Sequence, residues 1–458
     1  MNSNILLLYL FLSSLIVINS DEKVIFAWQI HRHGARAPYD GIIKGLDAYR
    51  EKWISKEELS EVGKRMLYLL GVKARKRYMD KYNLLSKEYN PQEIFIRSTD
   101  VNRTIESIES FLQGLYPPGT GPIINEKLTK DLSRTYPPNV KYLNEFKEIA
   151  DFYNLTDNIS ALPYRMSLEP VHLFYKPRHE FQLYDTDVCK GHKEKYEQQK
   201  NSKIVHDFGD ELNEKFDDMF FKLEVTENKT FFHEYWTIYK YMDSFICDET
   251  DARKFNHLLQ NFNFDENKFN LLREYSKKYL LLDYNSTNYP EGYNNISIVA
   301  NSFTMHSILN WMEKAIEGNK NKQNYLKYVV FSAHDSSIGA IEHFMNYVFQ
   351  TEIEYAEFAE SRYIELYIDD NDKYKVRYLK GDTYEKKSLD FEKFKKEIND
   401  KIWTDQEVGK FCQFEESPKE TIIIKEKSSS SPSFIFMIIL IIINIILLLV
   451  IIVFYVKK

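Results

Sequence analysis

The octapeptide HRHGARAP, His31 to Pro38, sets two histidines and two arginines close together, with no lysine and no acid among them. Two later stretches carry matching chemistry: EIFIRSTD (Glu93 to Asp100) contains Arg97, and YVVFSAHD (Tyr328 to Asp335) ends on His334 and Asp335. Three guanidiniums gathered at one point repel one another unless an anion sits among them. A guanidinium is planar, always charged and matches phosphate oxygens two at a time, so phosphate is the economical anion; sulfate fits the same argument. His33, flanked by Arg32 and Arg36, is expected to stay neutral, because a further positive charge beside them is disfavoured. Neutral imidazole has a lone pair that can attack phosphorus. Asp335 would protonate the departing alkoxide and afterwards draw a proton from the attacking water. Arg32, Arg36, Arg97 and His334 would neutralise the equatorial oxygens in both transfers. This chemistry requires no metal and no cofactor. His31 is read as a neighbour of the site.

Each of the three motifs follows an apolar run, VIFAWQI before the first, and is followed by a helical pattern or precedes one. After EIFIRSTD, Val101, Ile105, Ile108, Leu112 and Leu115 recur at helical spacing, with Ser98 or Thr99 as the expected cap. Between the first two motifs, Ser55 and Glu58 read as a capping box for a helix reaching about Tyr78. Before the third, a helix is expected over Phe303–Glu317, ended by Gly318. Strand followed by helix, repeated, predicts an α/β fold: a three-layer, largely parallel sheet with the crevice beyond the carboxyl ends of its strands. All three motifs fall at such ends.

The 458 residues suffice for a large core, and the 43% hydrophobic, 28% charged balance is globular. A net charge of -7 argues against a general nucleic-acid-binding surface. Residues 136–299, rich in Tyr, Phe, Asn and Lys, read as a mostly helical cap inserted between the core segments 21–135 and 300–415. Residues 1–20 read as a secretory signal, although no basic residue precedes its apolar stretch; an uncleaved anchor is the alternative. A serine-rich tether, 416–433, leads to the apolar run 434–456, long enough for one bilayer crossing. The terminal Lys457 and Lys458 fit a cytosolic end and weigh against a cleaved lipid-anchor signal. The expected product is a single-pass type I membrane protein of the secretory pathway, with its site lumenal or extracellular. Asn154, Asn158, Asn228, Asn285 and Asn295 are glycosylation candidates; Asn102 has the same triplet but sits beside Arg97 and is expected to be unused. The cysteines, Cys189, Cys247 and Cys412, allow one disulfide and one thiol.

Other phosphate chemistries fail on detail. Cys247 and Arg253 have the C-x5-R spacing of cysteine phosphatases, but the loop between them, DETDA, is acidic and lacks glycine. There is no G-x-x-x-x-G-K-S/T loop, no G-x-S-x-G elbow and no H-E-x-x-H helix. Cys189 and His192 are too few for a zinc site.

RHGARAP resembles the R-H-G-x-R-x-P signature of the histidine acid phosphatases, a branch of the histidine phosphatase superfamily. ELSEVGKRM, IRSTDVNRT, FLQGLYPP, PVHLFYKP and FSAHDSSIGAI fall in that family's order, from about Val24 to Cys412. The resemblance implies hydrolysis of small phosphate monoesters by an α/β core with an inserted helical cap. It implies His33 as nucleophile, Asp335 as proton donor, and Arg32, Arg36, Arg97 and His334 as phosphate-binding groups. It also implies a Cys189–Cys412 disulfide. Cys247 resembles a member of a second pair, but the expected partner region, AESRYIEL, carries Ser361 in place of a cysteine. Some family members share the signal, ectodomain, single span and short tail, which implies a lysosome-like compartment or the cell surface. Narrower phosphatases of the same fold, acting on inositol phosphates or lysophospholipids, are the alternative. A catalytically silent receptor-like ectodomain is the rival, and a homodimer is left open.

Overall fold

A computed structural model describes residues 22–38, 56–124, 160–174, 189–191, 193–194, 203–222, 243, 246–247, 250, 266–282, 295–381 and 387–413. Seven strands build one sheet: β1 Lys23–Arg32, β2 Ile94–Thr99, β3 His172–Phe174, β4 Tyr328–Ala333, β5 Ser361–Ile368, β6 Tyr374–Lys380 and β7 Ser388–Asp390, in the order β3-β2-β4-β1-β5-β6-β7. The four strands β3, β2, β4 and β1 run parallel. The remaining pairings, β1–β5, β5–β6 and β6–β7, are antiparallel. The sheet is therefore mixed, not largely parallel as the strand–helix rhythm suggested. The reason is local. A turn at Asp369, whose carboxylate accepts the amides of Asn371 and Lys373, joins β5 to β6, and so short a connection permits only a hairpin.

The helices are α1 Glu61–Arg75, continued by a π-turn over Lys76–Lys81, α2 Asn102–Leu115, α3 Lys203–Lys222, α4 Glu266–Leu282, α5 Asn295–Asn321, α6 Asp335–Phe349, α7 Phe391–Asn399 and α8 Asp405–Cys412. On one face of the sheet, Phe26, Trp28, Ile30, Val329 and Phe331 pack against Met305, Ile308 and Met312 of α5, Ile341 and Phe344 of α6 and Phe394 of α7. On the other, Ala27, Ile94, Ile96 and Val330 meet Leu67 and Leu70 of α1 and Ile108, Phe111 and Leu115 of α2. Each such large side chain contributes about 1.5–3 kcal/mol on burial. The result is three layers, with β1 and β4 buried on both faces as VIFAWQI and YVVFSA require.

Several boundaries differ from the sequence expectation. The cap of α1 is Ser60, whose hydroxyl accepts the Gly63 amide, and Ser55 lies outside the described residues. Neither Ser98 nor Thr99 caps α2; both stay in β2, and Val101 flanks the helix. Helix α5 begins before residue 303 and runs through Gly318, so that glycine does not end it. A Cβ there would lie 2.5 Å from the Tyr325 ring, so the position is small because an aromatic ring occupies the space. Of the stretch expected to be cap, α3 and α4 are helical, but β3 belongs to the core sheet, paired to β2.

Cys189 and Cys412 are joined in a disulfide 223 residues apart in sequence, as the resemblance implied. The chain divides into two units after Cys412. The signal 1–20, the tether, the apolar run 434–456 and residues 457–458 lie outside the described residues, as do Asn154, Asn158, Asn228 and Asn285. Among the described residues no helix is long and apolar enough to cross a membrane. Asn295 opens α5, and the exposed Asn102 donates a hydrogen bond to Glu58.

Candidate active site

Parallel pairing does the first work of assembly. β1 pairs with β4 in a register that sets Arg32 beside Ala333, and β2 pairs with β4 so that Ser98 lies beside Ser332. The residues that follow each strand therefore emerge together at one sheet edge. The His33 amide continues the ladder, donating to the Ala333 carbonyl at 2.9 Å. The loop after it is held by backbone. Ser60, the cap of α1, donates through both its amide and its hydroxyl to the Ala35 carbonyl, and the Gly34 amide donates to the Ser107 hydroxyl of α2. Gly34 and Gly63 meet back to back. A Cβ on Gly34 would lie 2.5 Å from the Gly63 carbonyl oxygen, and one on Gly63 would lie 2.1 Å from that of Ala35. This explains the glycine in both RHGARAP and ELSEVGKRM.

The His33 ring is buried. Its Nδ1 lies 2.9 Å from the Gly34 carbonyl, which can only accept, so Nδ1 carries the proton and Nε2 the lone pair. Burial, followed by the charges of Arg32, Arg36 and Arg103 and the neighbouring His334, holds its pKa well below the ordinary imidazole value. Burial and the neighbouring charges thus both favour the neutral ring. His334 packs edge-on at 5.6 Å between ring centroids. Its Nε2 pairs with the Thr99 hydroxyl at 3.0 Å and its Nδ1 faces Arg103 Nη2 at 3.5 Å. Burial and then Arg103 push the His334 pKa down to about 3, against the opposing pull of Asp335. His31 points to the other face of the sheet, stacked on Phe111, where burial lowers its pKa to about 4. It is part of the packing behind the site.

Each arginine around His33 has a carboxylate partner. Arg32 Nη2 lies 2.8 Å from Asp335 Oδ2. Arg36 grips Asp243 through both terminal nitrogens, at 2.7 and 3.0 Å, and also contacts the buried Cys247 thiol. Arg103 donates to Glu57 at 2.6 Å. Asp335 opens α6 and accepts the Ser336 amide. Burial alone would raise its pKa, but Arg32 and then Arg36 outweigh burial and lower it. The guanidinium of Arg97 lies 5.2 Å from the Phe95 ring, on the β2 residue that pairs with His172 of β3. Thus Arg32, His33, Arg36, His334 and Asp335 converge, and Arg103 joins them. Sequence reading passed over Arg103, although a signal was present. IRSTDVNRT holds two arginines, and a helix starting at Asn102 carries the second into its first turn, at the sheet edge. The first lies inside the strand.

Chemically, a buried imidazole with a fixed tautomer, three guanidiniums, a second neutral imidazole and a carboxylate can hold a tetrahedral dianion and pass its central atom to nitrogen. The sequence model of the histidine phosphatase superfamily (branch 2) matches residues 23–380. The lysosomal acid phosphatase of Xenopus laevis is 31% identical over 176 residues, 34% of this chain and 40% of that protein. The human lysophosphatidic acid phosphatase type 6 is 40% identical over 81 residues, 18% of this chain and 19% of that one. The aligned stretches thus span less than half the length of these curated relatives. Among solved structures, the phytase from Citrobacter braakii superposes with a TM-score of 0.52 at 11% identity, over 84% of this chain and 98% of that one. This is a likeness of fold.

Proposed function

The chain belongs to the histidine phosphatase superfamily, branch 2, and from that premise we propose that it is an acid phosphatase, a phosphoric monoester hydrolase working through a phosphohistidine on His33. The observation that carries this reading is the His33 ring itself: Nδ1–H tied to the Gly34 carbonyl, Nε2 left with its lone pair, and Arg32, Arg36 and Arg103 acting on the ring.

In the first half-reaction His33 Nε2 attacks phosphorus. The P–N bond forms, the P–O bond to the leaving group breaks, and Asp335 passes its proton to the departing oxygen, releasing an alcohol. In the second, the Asp335 carboxylate takes a proton from water. The water oxygen attacks phosphorus, the P–N bond breaks, and inorganic phosphate leaves with His33 neutral again. The arginines and the dipolar start of α6 neutralise the transferring group in both steps. In the resting site Asp335 is ionised against Arg32. A substrate dianion draws Arg32 toward itself and repels the carboxylate, which raises the Asp335 pKa so that a proton enters with the substrate. Proton uptake on binding favours acidic solution. The full-length protein is therefore expected to hydrolyse an aryl phosphate faster at pH 5 than at pH 7. A flat or rising rate toward pH 7 would overturn the role given to Asp335. Acid-sensitive, base-stable label on the protein after rapid quench with 32P substrate is the matching chemical signature.

We assign Arg103, with Arg32, Arg36 and His334, to the phosphoryl oxygens, and give Arg97 the weaker claim. Arg103→Gln is expected to lower kcat/KM by about 10²- to 10³-fold, the usual cost of one charge-stabilising donor. Arg97→Gln is expected to lower it less than about tenfold by the same measure. Steady-state kinetics of the pair decide, and the reverse order would restore Arg97.

The remaining features belong to the same proposal: a secretory signal over 1–20, a cap over 136–299 that selects the monoester, a single span over 434–456, and a lysosome-like or cell-surface location. The relative named lysosomal acid phosphatase supports that location, and the lysophosphatidic acid phosphatase keeps a narrower lipid substrate in view. A homodimer is compatible with all of this.

A further inference from the structure

The segment 351–360, between α6 and β5, has no regular structure, yet it is bonded to β1 and to the residue after it through both backbone and side chain. The Arg32 amide donates to the Glu360 carbonyl, and the Ala359 amide donates to the His33 carbonyl. Arg32 Nη1 donates to the Ala356 carbonyl at 3.0 Å. The Arg32 guanidinium lies 4.2 Å from the Phe358 ring centroid and 5.3 Å from that of Tyr355. On its outer side the segment is fastened to the inserted helix α4, where Lys277 and Arg273 pair with Glu357 at 2.6 and 3.3 Å.

Within this frame one group touches both the proton carrier and its arginine. The Tyr355 hydroxyl accepts from Arg32 Nη1 at 2.5 Å and faces Asp335 Oδ2 at 3.5 Å, while Arg32 Nη2 holds the same Oδ2 at 2.8 Å. A phenol has one proton to give. With its oxygen accepting from Arg32, that proton is directed at the carboxylate. We infer that Tyr355 is a positioning residue: its hydroxyl closes a three-membered ring with Arg32 and Asp335, orienting the guanidinium toward phosphate and setting the pH at which Asp335 gives up its proton.

Facing Asp335 are Arg32 from β1, Arg36 from the loop after it, and His334 beside it. Facing Tyr355 are Arg32, Asp335, Glu357 of its own segment, Asp243 of the inserted region, and Lys277 of α4 at 5.9 Å from the ring. Burial first, and the surrounding carboxylates in part, raise the phenol's pKa, so Tyr355 stays a donor throughout the working range. When substrate arrives, Arg32 keeps Nη1 on the phenol oxygen and turns Nη2 from Asp335 to the phosphoryl oxygens, and the phenol proton fixes the Asp335 oxygen not engaged with the leaving group. A hydrogen bond donated to the ionised carboxylate lowers its pKa, and removing that bond raises it.

This inference rests on the phosphatase reading above, and its test separates the two. The full-length wild type, Tyr355→Phe and a variant with fluorotyrosine at 355 are compared in kcat against pH, in inhibition by inorganic phosphate, and in thermal midpoint. Tyr355→Phe keeps the ring and its packing. Its alkaline limb, where Asp335 loses its proton, is expected to move up by about half to one pH unit. Phosphate inhibition should weaken about 3- to 10-fold, because Arg32 Nη1 loses the oxygen that aims the guanidinium at phosphate, whereas Asp335 competes with phosphate for Nη2. Fluorotyrosine, a stronger donor, should move the limb the other way. An alkaline limb that stays in place in both variants overturns the inference, whether or not kcat falls, because a uniform fall is what lost packing alone would give. A wild type that hydrolyses no phosphate monoester overturns the functional reading itself, and this inference with it.

Discussion

His33→Ala is expected to lower kcat for aryl phosphate hydrolysis by about 10⁴-fold or more, the scale found when a covalent nucleophile is removed from an intact site. The magnitude follows from what remains. Arg32, Arg36 and Arg103, the proposed anion cradle, are untouched, so inorganic phosphate should bind the variant about as well as the wild type. Only the in-line nitrogen is gone. Alanine also leaves a cavity beside the Gly34 carbonyl, which has lost its Nδ1–H donor. Added imidazole can enter that cavity, donate to the same carbonyl and present its second nitrogen to phosphorus. Partial recovery of activity by imidazole, together with loss of the acid-labile protein label, would tie the chemistry to that position. The wild type should in addition keep its rate well below pH 6.5, where an ordinary histidine would be protonated, because burial and the three arginines hold the His33 pKa down. A His33→Ala protein that still hydrolyses substrate without imidazole, or still takes up label, would end the phosphohistidine account.

How much of this was legible beforehand depends on the scale at which each feature is decided. The convergence of His33, His334 and Asp335 was readable because each follows an apolar run, and parallel strands deliver their carboxyl ends to one edge. Arg103 was passed over for Arg97: the second arginine of IRSTDVNRT was in view, but which of the two reaches the sheet edge depends on where β2 stops. Thr99 is the last strand residue and Asn102 the first helical one, so the reach toward His334 passes to the second arginine. Asp243 and Glu57, the partners of Arg36 and Arg103, carry no motif, and their positions are set by tertiary packing. Tyr355 was invisible for the same reason, one tyrosine among 33 in a segment without periodicity. The antiparallel half of the sheet was signalled only by DDNDK, a turn whose meaning depends on recognising both flanking runs as strands. Gly318 misled because glycine after an amphipathic stretch usually ends a helix. Here the need to clear Tyr325 took precedence.

Asp335→Asn separates proton transfer from electrostatics, because it keeps the shape and removes both the proton and the charge. For an alkyl phosphate, whose leaving oxygen must be protonated as the P–O bond breaks, kcat is expected to fall by about 10³- to 10⁴-fold, the upper range for general acid catalysis. An aryl phosphate with a strongly acidic phenol needs no proton in the first half-reaction, and phosphorylation of His33 should slow only about tenfold. The second half-reaction then becomes limiting, since no carboxylate remains to take a proton from water. Label should accumulate on the protein, and product release should show a burst equal to the number of sites, followed by slow turnover. Binding should change in the opposite sense to turnover. In the resting wild type Asp335 holds Arg32 at 2.8 Å and repels the incoming dianion. The variant releases Arg32 and removes that repulsion, so phosphate should bind roughly tenfold more tightly, a difference of about one pKa unit in interaction. Arg32 keeps the Tyr355 hydroxyl and the Ala356 carbonyl as acceptors, which limits the stability lost with the ion pair. If alkyl and aryl substrates slow equally and no phosphoenzyme builds up, Asp335 carries no proton and serves only as the counter-ion of Arg32.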